Sequence, residues 1–294
     1  MFEQVNPSVR VAKAGTGIGV VTHGDKALLV DSGLDENLVR KVVNTLQNEG
    51  VSVAAIVNTH AHADHIGGNQ WAVKRTGAKV AAPAYEHYFV ERPELEPYTL
   101  FGAAAPKAMQ GKFLQAAPSK VDHVLEPGER EVEGFRVKLH ALAGHSVGQM
   151  GVEVDGALFV GDALLPEATL HKYGLVFAVD PLAARASTER LREMRDVAVV
   201  SYHGGVVADL DSAVRANAEA MARAEEALAA LLRRGPVTAE DALQHLLDAF
   251  PPAQLTVELY ALQAATVRGY LAALERAGRA EAYLEGRRLL WRAR

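Results

Sequence analysis

The chain has 294 residues, 49% of them hydrophobic and 23% charged, with a formal net charge of -5 and no cysteine. That composition describes a globular protein with a substantial core in one large domain, or a large and a small one. It excludes disulfides, thiolate ligands and a cysteine nucleophile, and its negative charge offers no general attraction to phosphate backbones or acidic membranes. The start, Met1-Phe2-Glu3-Gln4-Val5-Asn6-Pro7, lacks a basic stretch leading into an apolar one, and no run of about 18 apolar residues follows. A soluble, cytoplasmic protein without a membrane partner is expected.

In chain order, Ile18 to His23 and Ala27 to Asp31 flank Gly24-Asp25 and read as a hairpin that ends in Asp31-Ser32-Gly33. An amphipathic helix is predicted from about Asp35 to Gln47, a buried strand from Val53 to Asn58, a helix from Gly67 to Thr76 and a short strand from Val80 to Ala82 that stops at Pro83. Residues Ala84 to Ala117 carry three prolines and scattered aromatics, a broken and partly helical pattern expected of an inserted lid or pocket wall. Strands resume at Val121 to Leu125, Phe135 to Leu142, Met150 to Val154 and Ala157 to Val160. Pro181 to Met194 is helical, and Val197 to Ser201 is one more buried strand. Alternation of β-branched runs with helices predicts a layered α/β domain over residues 1–210. Beyond it, a long helix runs to Arg234 and stops at Gly235-Pro236, and Thr238 caps another. Thr256 to Ala277 is one helix or two. Ala280 to Leu284 and Arg287 to Trp291 bracket Glu285-Gly286 as a final hairpin, so residues 211–294 read as a small helical, winged-helix-like domain.

Chemistry concentrates at strand ends. His60-Ala61-His62-Ala63-Asp64-His65 places three histidines and an aspartate in six residues directly after a buried strand. Packing makes no such demand, whereas imidazole nitrogen and carboxylate oxygen are what zinc, iron or manganese bind. Further candidates leave later strands in the same way: His145 in Gly144-His145-Ser146, Asp162 after Gly161, and His203 in Tyr202-His203-Gly204-Gly205. Within the insert, Tyr85, His87, Tyr88, Tyr98 and Phe101 are candidates to line an apolar pocket. His171, Lys172 and Tyr173, shortly after Asp162, are candidates to bind an anionic group or donate a proton.

Taken together, the His60 to His65 cluster, Gly144-His145, Gly161-Asp162 and His203 resemble the successive motifs of the metallo-β-lactamase superfamily, with Asp31 in the position of its first motif. The resemblance spans about residues 15 to 210. It implies an αββα sandwich with two divalent metal ions, zinc first and manganese or iron(II) as alternatives. By that resemblance His60, His62 and His145 hold one ion, Asp64, His65 and His203 the other, Asp162 bridges them, and Asp31 fixes a ligand imidazole from behind. Asp64 is then also the catalytic carboxylate that orients a metal-bridging hydroxide. The expected reaction is hydrolysis of an ester or thioester of a small molecule.

Within the superfamily, the presence of Asp162 and the lack of cysteine weigh against β-lactam hydrolysis, and His62 stands where flavodiiron proteins have a glutamate. Glyoxalase II-like thioesterases, lactonases and nuclease relatives carry the same ligand set, as does the single-iron persulfide dioxygenase branch. Ala143 and Val147 depart from prolines common in relatives, and Ser201-Tyr202-His203 from a Pro-Gly-His form. A helical module behind such a domain also resembles the β-lactamase-like 2 proteins, which implies single-strand endoribonuclease activity as the alternative. Seven arginines against four glutamates from Thr256 to Arg294 make only a modest basic excess for nucleic acid. Packing beside the active site, or homodimer formation, is the simpler role expected of this module.

Overall fold

The computed structural model describes residues 2–13 and 15–294. The first sheet has seven strands in chain order: β1 (Phe2–Asn6), β2 (Val9–Lys13), β3 (Gly17–His23), β4 (Lys26–Val30), β5 (Ser52–Val57), β6 (Lys79–Pro83) and β7 (His123–Leu125). The antiparallel meander β1 to β4 gives way to parallel pairing from β4 to β7. Parallel neighbours need crossovers; helices α1 (Glu36–Asn48), α2 (Ala63–Ile66) and α3 (Asn69–Thr76) supply the first two, and the insert supplies the one between β6 and β7. Asp35 caps α1 by accepting from Asn37 N. Its buried stripe of Leu38, Val39, Val42, Val43 and Leu46 covers the outer face of the sheet against Ile18, Leu29 and Ile56.

The insert forms α4 (His87–Glu91) and α5 (Leu95–Phe101). The second sheet follows from β8 (Gly128–Val132), β9 (Phe135–Ala141), β10 (Met150–Val154), β11 (Ala157–Phe159), β12 (Ala198–Ser201) and β13 (Gly205–Val206), with α6 (Glu167–Tyr173) and α7 (Pro181–Arg190) between β11 and β12. Leu28, Val57, Val137, Val152 and Phe159 belong to one core that joins the inner faces of both sheets. Leu158 and Val199 turn the other way and pack with Leu191 and Val214. The layers are therefore helix, sheet, sheet, helix. Strands β1, β2, β8 and β13 had no sequence prediction. β8 reads Gly-Glu-Arg-Glu-Val at the edge of its sheet and is mostly exposed, so it lacks the apolar alternation by which a half-buried strand is recognised.

Helices α8 (Leu210–Arg234), α9 (Ala239–Ala249) and α10 (Val257–Arg276), with the hairpin β14 (Ala280–Glu285) and β15 (Arg288–Ala293), surround a separate core that includes Leu228, Leu246, Val267 and Leu271. Helix α10 is continuous, which resolves the choice between one helix and two. The hairpin turns at Gly286-Arg287, one residue later than predicted, with positive φ at both positions.

Polar groups on the buried face of α10 hold the chain between α6 and α7. The Gln263 amide Nε2 donates to the carbonyls of Tyr173 and Leu175 at 3.1 and 3.3 Å, and Ala178 N donates to Thr266 Oγ1 at 3.2 Å. Gln263 and Thr266 are both buried. Leaving such carbonyls unpaired costs about 1–3 kcal/mol, so Gln263→Leu is expected to lower the urea midpoint by that equivalent with little change in slope. An unchanged midpoint would show that α10 does not secure this segment.

Candidate metal centre

Every candidate donor leaves a strand end. Asp31 follows β4, the cluster from His60 to His65 follows β5, Asp162 follows β11 and His203 follows β12, while His145 lies between β9 and β10. Close backbone approach makes this possible. At Gly67 an added Cβ would meet the Leu34 carbonyl oxygen at 2.0 Å, and at Gly144, where φ is +128°, it would meet Ala184 N at 2.0 Å. Only glycine fits either position.

Three ring nitrogens converge. His62 Nδ1 lies 2.9 Å from His60 Nε2 and 2.9 Å from His145 Nε2. A second group forms beside them: His65 Nε2 is 3.9 Å from Asp64 Oδ2, and His203 Nε2 is 3.7 Å from the same oxygen. Asp162 reaches both, at 3.5 Å from His145 Nε2, 3.4 Å from His65 Nε2 and 3.5 Å from His203 Nε2.

The opposite nitrogens are held from behind. His65 Nδ1 meets Asp31 Oδ2 at 2.8 Å, His60 Nδ1 meets Thr59 Oγ1 at 3.1 Å, His145 Nδ1 meets the Phe177 carbonyl at 3.1 Å and His203 Nδ1 meets the Gly15 carbonyl at 3.3 Å. Asp31, at a strained φ of 60°, also accepts from Thr59 N and Thr59 Oγ1, each at 2.8 Å. Each Nδ1–H finds an acceptor, so each of these four rings turns its Nε2 toward the cluster. His62 is reversed: its Nδ1 faces the cluster and its Nε2 lies 3.8 Å from Glu96 Oε1. Tyr202 stacks on His65 at 3.6 Å between centroids, and its hydroxyl donates to the Asp64 carbonyl.

Electrostatics divide the cluster in two. Burial, reinforced by neighbouring imidazoles, holds His60 and His62 well below the usual imidazole range. Burial also lowers His145, against the pull of Asp162. These three rings therefore stay neutral at neutral pH and keep their lone pairs. Burial disfavours charge on His65 as well, but Asp31, Asp64 and Asp162 outweigh it and raise that ring well above the ordinary value. His203 is pushed up to about 9 because Asp162 and Asp64 overcome its burial. Burial raises Asp162, yet His203 and His65 bring it well below the usual carboxylate range.

The residues fit divalent cations. His60, His62 and His145 form one group whose donor atoms lie within 4.8 Å of one another, Asp64, His65 and His203 form a second, and His60, His65 and Asp162 a third that links them. His65 Nε2 and Asp162 Oδ1 are buried without a hydrogen-bond partner, which is costly inside a protein and is relieved by a cation between them.

Two buried glutamates had no sequence signal: Glu86 stands among the aromatics of the insert and Glu96 in the charged stretch Glu91 to Glu96, and neither directly follows a strand. Glu86 accepts from Ala61 N at 3.1 Å, from Ser146 Oγ at 2.6 Å and from Gly148 N at 2.7 Å, so one carboxylate ties the loop of His60 and His62 to the loop of His145. Burial raises its pKa while those three donors oppose the shift. Glu96 is also buried, and burial with Asp64 and Glu86 nearby raises it well above the carboxylate range.

A cavity of about 800 Å³ opens from the cluster, lined by His62, Asp64, His145, Asp162 and His203 together with Glu96, Phe113, Lys172, Tyr173, Phe177 and residues of α10. Of the proposed pocket residues, Lys172 and Tyr173 line it. Tyr85, His87, Tyr98 and His171 do not line it, nor do Tyr88 and Phe101. Tyr85 is 71% exposed, Tyr88, Tyr98 and Phe101 face solvent too, and His87 bonds the Ala84 carbonyl. His171 lies on the exposed side of α6 beside Glu167. The insert turns its aliphatic side inward instead: Leu100, Met109 and Leu114 pack with Ala261 of α10, and Tyr85, Tyr88, Tyr98 and Phe101 are left outside.

Residues 16–203 match the model of the metallo-beta-lactamase superfamily, and the chain belongs to that superfamily. The chain's His and Asp groups could hold divalent metal ions, which that superfamily uses. Among its relatives, a hydroxyacylglutathione hydrolase of Vibrio campbellii is 26% identical over 208 residues, covering 61% of this chain and 70% of that protein. An atrochrysone carboxyl ACP thioesterase of Claviceps purpurea is 26% identical over 259 residues, covering 81% and 72%. A metallo-beta-lactamase family protein from Thermus thermophilus shares the fold over nearly the whole chain, with a TM-score of 0.75 at 23% identity and coverage of 98% and 99%. Matches to curated relatives span as little as 43% of the relative's own length.

Because Glu86 links both histidine loops, Glu86→Ala is expected to weaken zinc binding about 10–100-fold in competition with a chelator. Glu86→Gln, which keeps two acceptor sites on one oxygen, is expected to recover part of that loss. Equal zinc affinity in all three proteins would remove the clamp.

Proposed function

We propose that this chain is a dinuclear metal hydrolase acting on an ester or thioester of a small molecule. His60, His62 and His145 would hold one ion and Asp64, His65 and His203 the other, with Asp162 in reach of both groups, and zinc is the metal proposed. The observation that carries this reading is the position of Asp162, within 3.5 Å of nitrogens from both groups. Paired divalent cations supply a water that ionises near neutral pH and polarise the carbonyl under attack.

The chain's own groups do the rest. Asp64, partly open to the cavity, orients the attacking water and accepts its proton. Tyr202 fixes Asp64 through its carbonyl and holds the His65 ring by stacking. Asp31 keeps the His65 proton on Nδ1. Glu96, buried at the cavity wall, stands 3.8 Å from His62 Nε2 on the side away from the other donors. Lys172 at the cavity wall pairs with an anionic part of the leaving group. Relatives named hydroxyacylglutathione hydrolase and ACP thioesterase support the thioester class.

The tail supports a small molecule over a nucleic acid. Six of the seven arginines from Arg268 onward, Arg268, Arg276, Arg279, Arg288, Arg292 and Arg294, pair with acidic side chains of this chain. Their charge is largely answered within the chain. We assign the helical domain a packing role beside the site.

Elemental analysis of protein purified without added metal tests this reading, alongside assays on thioester, lactone, bis(p-nitrophenyl) phosphate and single-stranded RNA. Two zinc ions per chain with thioester or ester turnover is the expected result. One iron with oxygen uptake, or RNA cleavage alone, would overturn it. In Asp162→Ala, metal content and kcat/KM are expected to fall together, the latter by at least about 100-fold. A folded variant retaining both would refute the bridging role.

A further inference from the structure

We infer that the cavity accepts the aliphatic acyl chain of the substrate, and that α10 of the helical domain is the wall that selects its length. The inference rests on the ester or thioester reading above and adds which part of the substrate is recognised. The cavity begins at the donor cluster, where the Phe177 ring lies against His62 and His145 with centroids 5.6 and 5.3 Å apart. Leu175, Phe113, Leu259 and Leu262 line it as well, so the first domain, the insert and α10 each contribute an apolar side chain. At about 800 Å³ it has the volume of a small-molecule site.

Charge decides against a polyanionic occupant. Among the described residues that line the cavity away from the donor cluster there is one lysine, Lys172, and no arginine, and Glu258 adds an acid on α10. A phosphodiester chain running beyond the donor cluster would find a single lysine and none of the arginines that phosphate recognition uses. An uncharged hydrocarbon chain needs neither and meets the leucines and phenylalanines. The wall is also held in place: Gln263 and Thr266, on the same helix as Leu259 and Leu262, bond the backbone at Tyr173, Leu175 and Ala178. With the carbonyl at the donor cluster, the acyl chain lies along Phe177 toward α10. Water adds to the carbonyl carbon, the bond from that carbon to oxygen or sulfur breaks, and the leaving group takes a proton, releasing a carboxylic acid and an alcohol or thiol.

The test uses the full, zinc-loaded chain with N-acetylcysteamine thioesters and p-nitrophenyl esters from acetyl to dodecanoyl. kcat/KM is expected to rise by up to about fourfold per methylene, the factor equivalent to about 0.8 kcal/mol of burial, until the cavity is filled. Straight-chain carboxylates, as products, are expected to inhibit with the same length dependence, which reads binding without turnover. Leu262→Trp and Leu259→Trp, each checked for an unchanged urea transition, are expected to lower the decanoyl-to-butyryl ratio of kcat/KM at least tenfold. If either variant fails to fold, the other and the carboxylate series decide. Turnover with a flat length profile, or ratios unchanged in the folded variants, overturns the inference and leaves the hydrolase reading standing. No turnover of any thioester or ester overturns both.

Discussion

Lone pairs that face one another with nothing of their own to bind are the constraint on which the rest of this molecule depends. His60, His62 and His145 meet nitrogen to nitrogen, and the carboxylates of Asp64 and Asp162 stand against His65 and His203. Hydrogen bonds cannot satisfy the first group, because burial keeps its three rings neutral and their facing nitrogens share too few protons. In the second group the carboxylates draw protons onto His65 and His203 that a cation would replace. Positive charge supplied from outside is the remaining solution. Holding this unfavourable arrangement ready requires a rigid frame, and the two-sheet core with glycines at the crowded loop contacts is such a frame.

The frame works through the far side of each ring. An imidazole aims one nitrogen only if its other nitrogen is occupied, and here the occupants are spread through the chain: Asp31 after β4, Thr59 after β5, the Phe177 carbonyl before α7 and the Gly15 carbonyl before β3. Glu86 adds a tie between the two histidine loops, and its longest contact, to Gly148, reaches 62 residues along the chain. Distant segments therefore share one geometry, and a disturbance at any of them reaches the cluster.

The helical domain belongs to this arrangement. Helix α10 bonds the segment that carries Phe177, and Phe177 in turn holds His145. Asn217 of α8 bonds both backbone groups of Leu165, three residues beyond Asp162. What divides into two parts along the chain is joined at the site, and the cavity wall is the visible result.

The sequence by itself determined the layered α/β class, the helical tail and all seven cluster residues, because each of those is written locally: apolar periodicity marks an element, and histidines and aspartates directly after buried strands mark a site. Asp31 was legible through the resemblance of Asp31-Ser32-Gly33 to the superfamily's first motif. The tertiary structure alone decided what surrounds the cluster. Glu86 and Glu96 look like surface acids until folding buries them, and Tyr85, Tyr98 and His171 look like pocket residues until the insert and α6 turn them outward. No local pattern distinguishes a buried glutamate from a solvated one, since burial depends on what packs across from it. The same holds for the cavity: its volume, its aliphatic wall on α10 and its scarcity of positive charge arise from segments whose encounter is fixed by the fold.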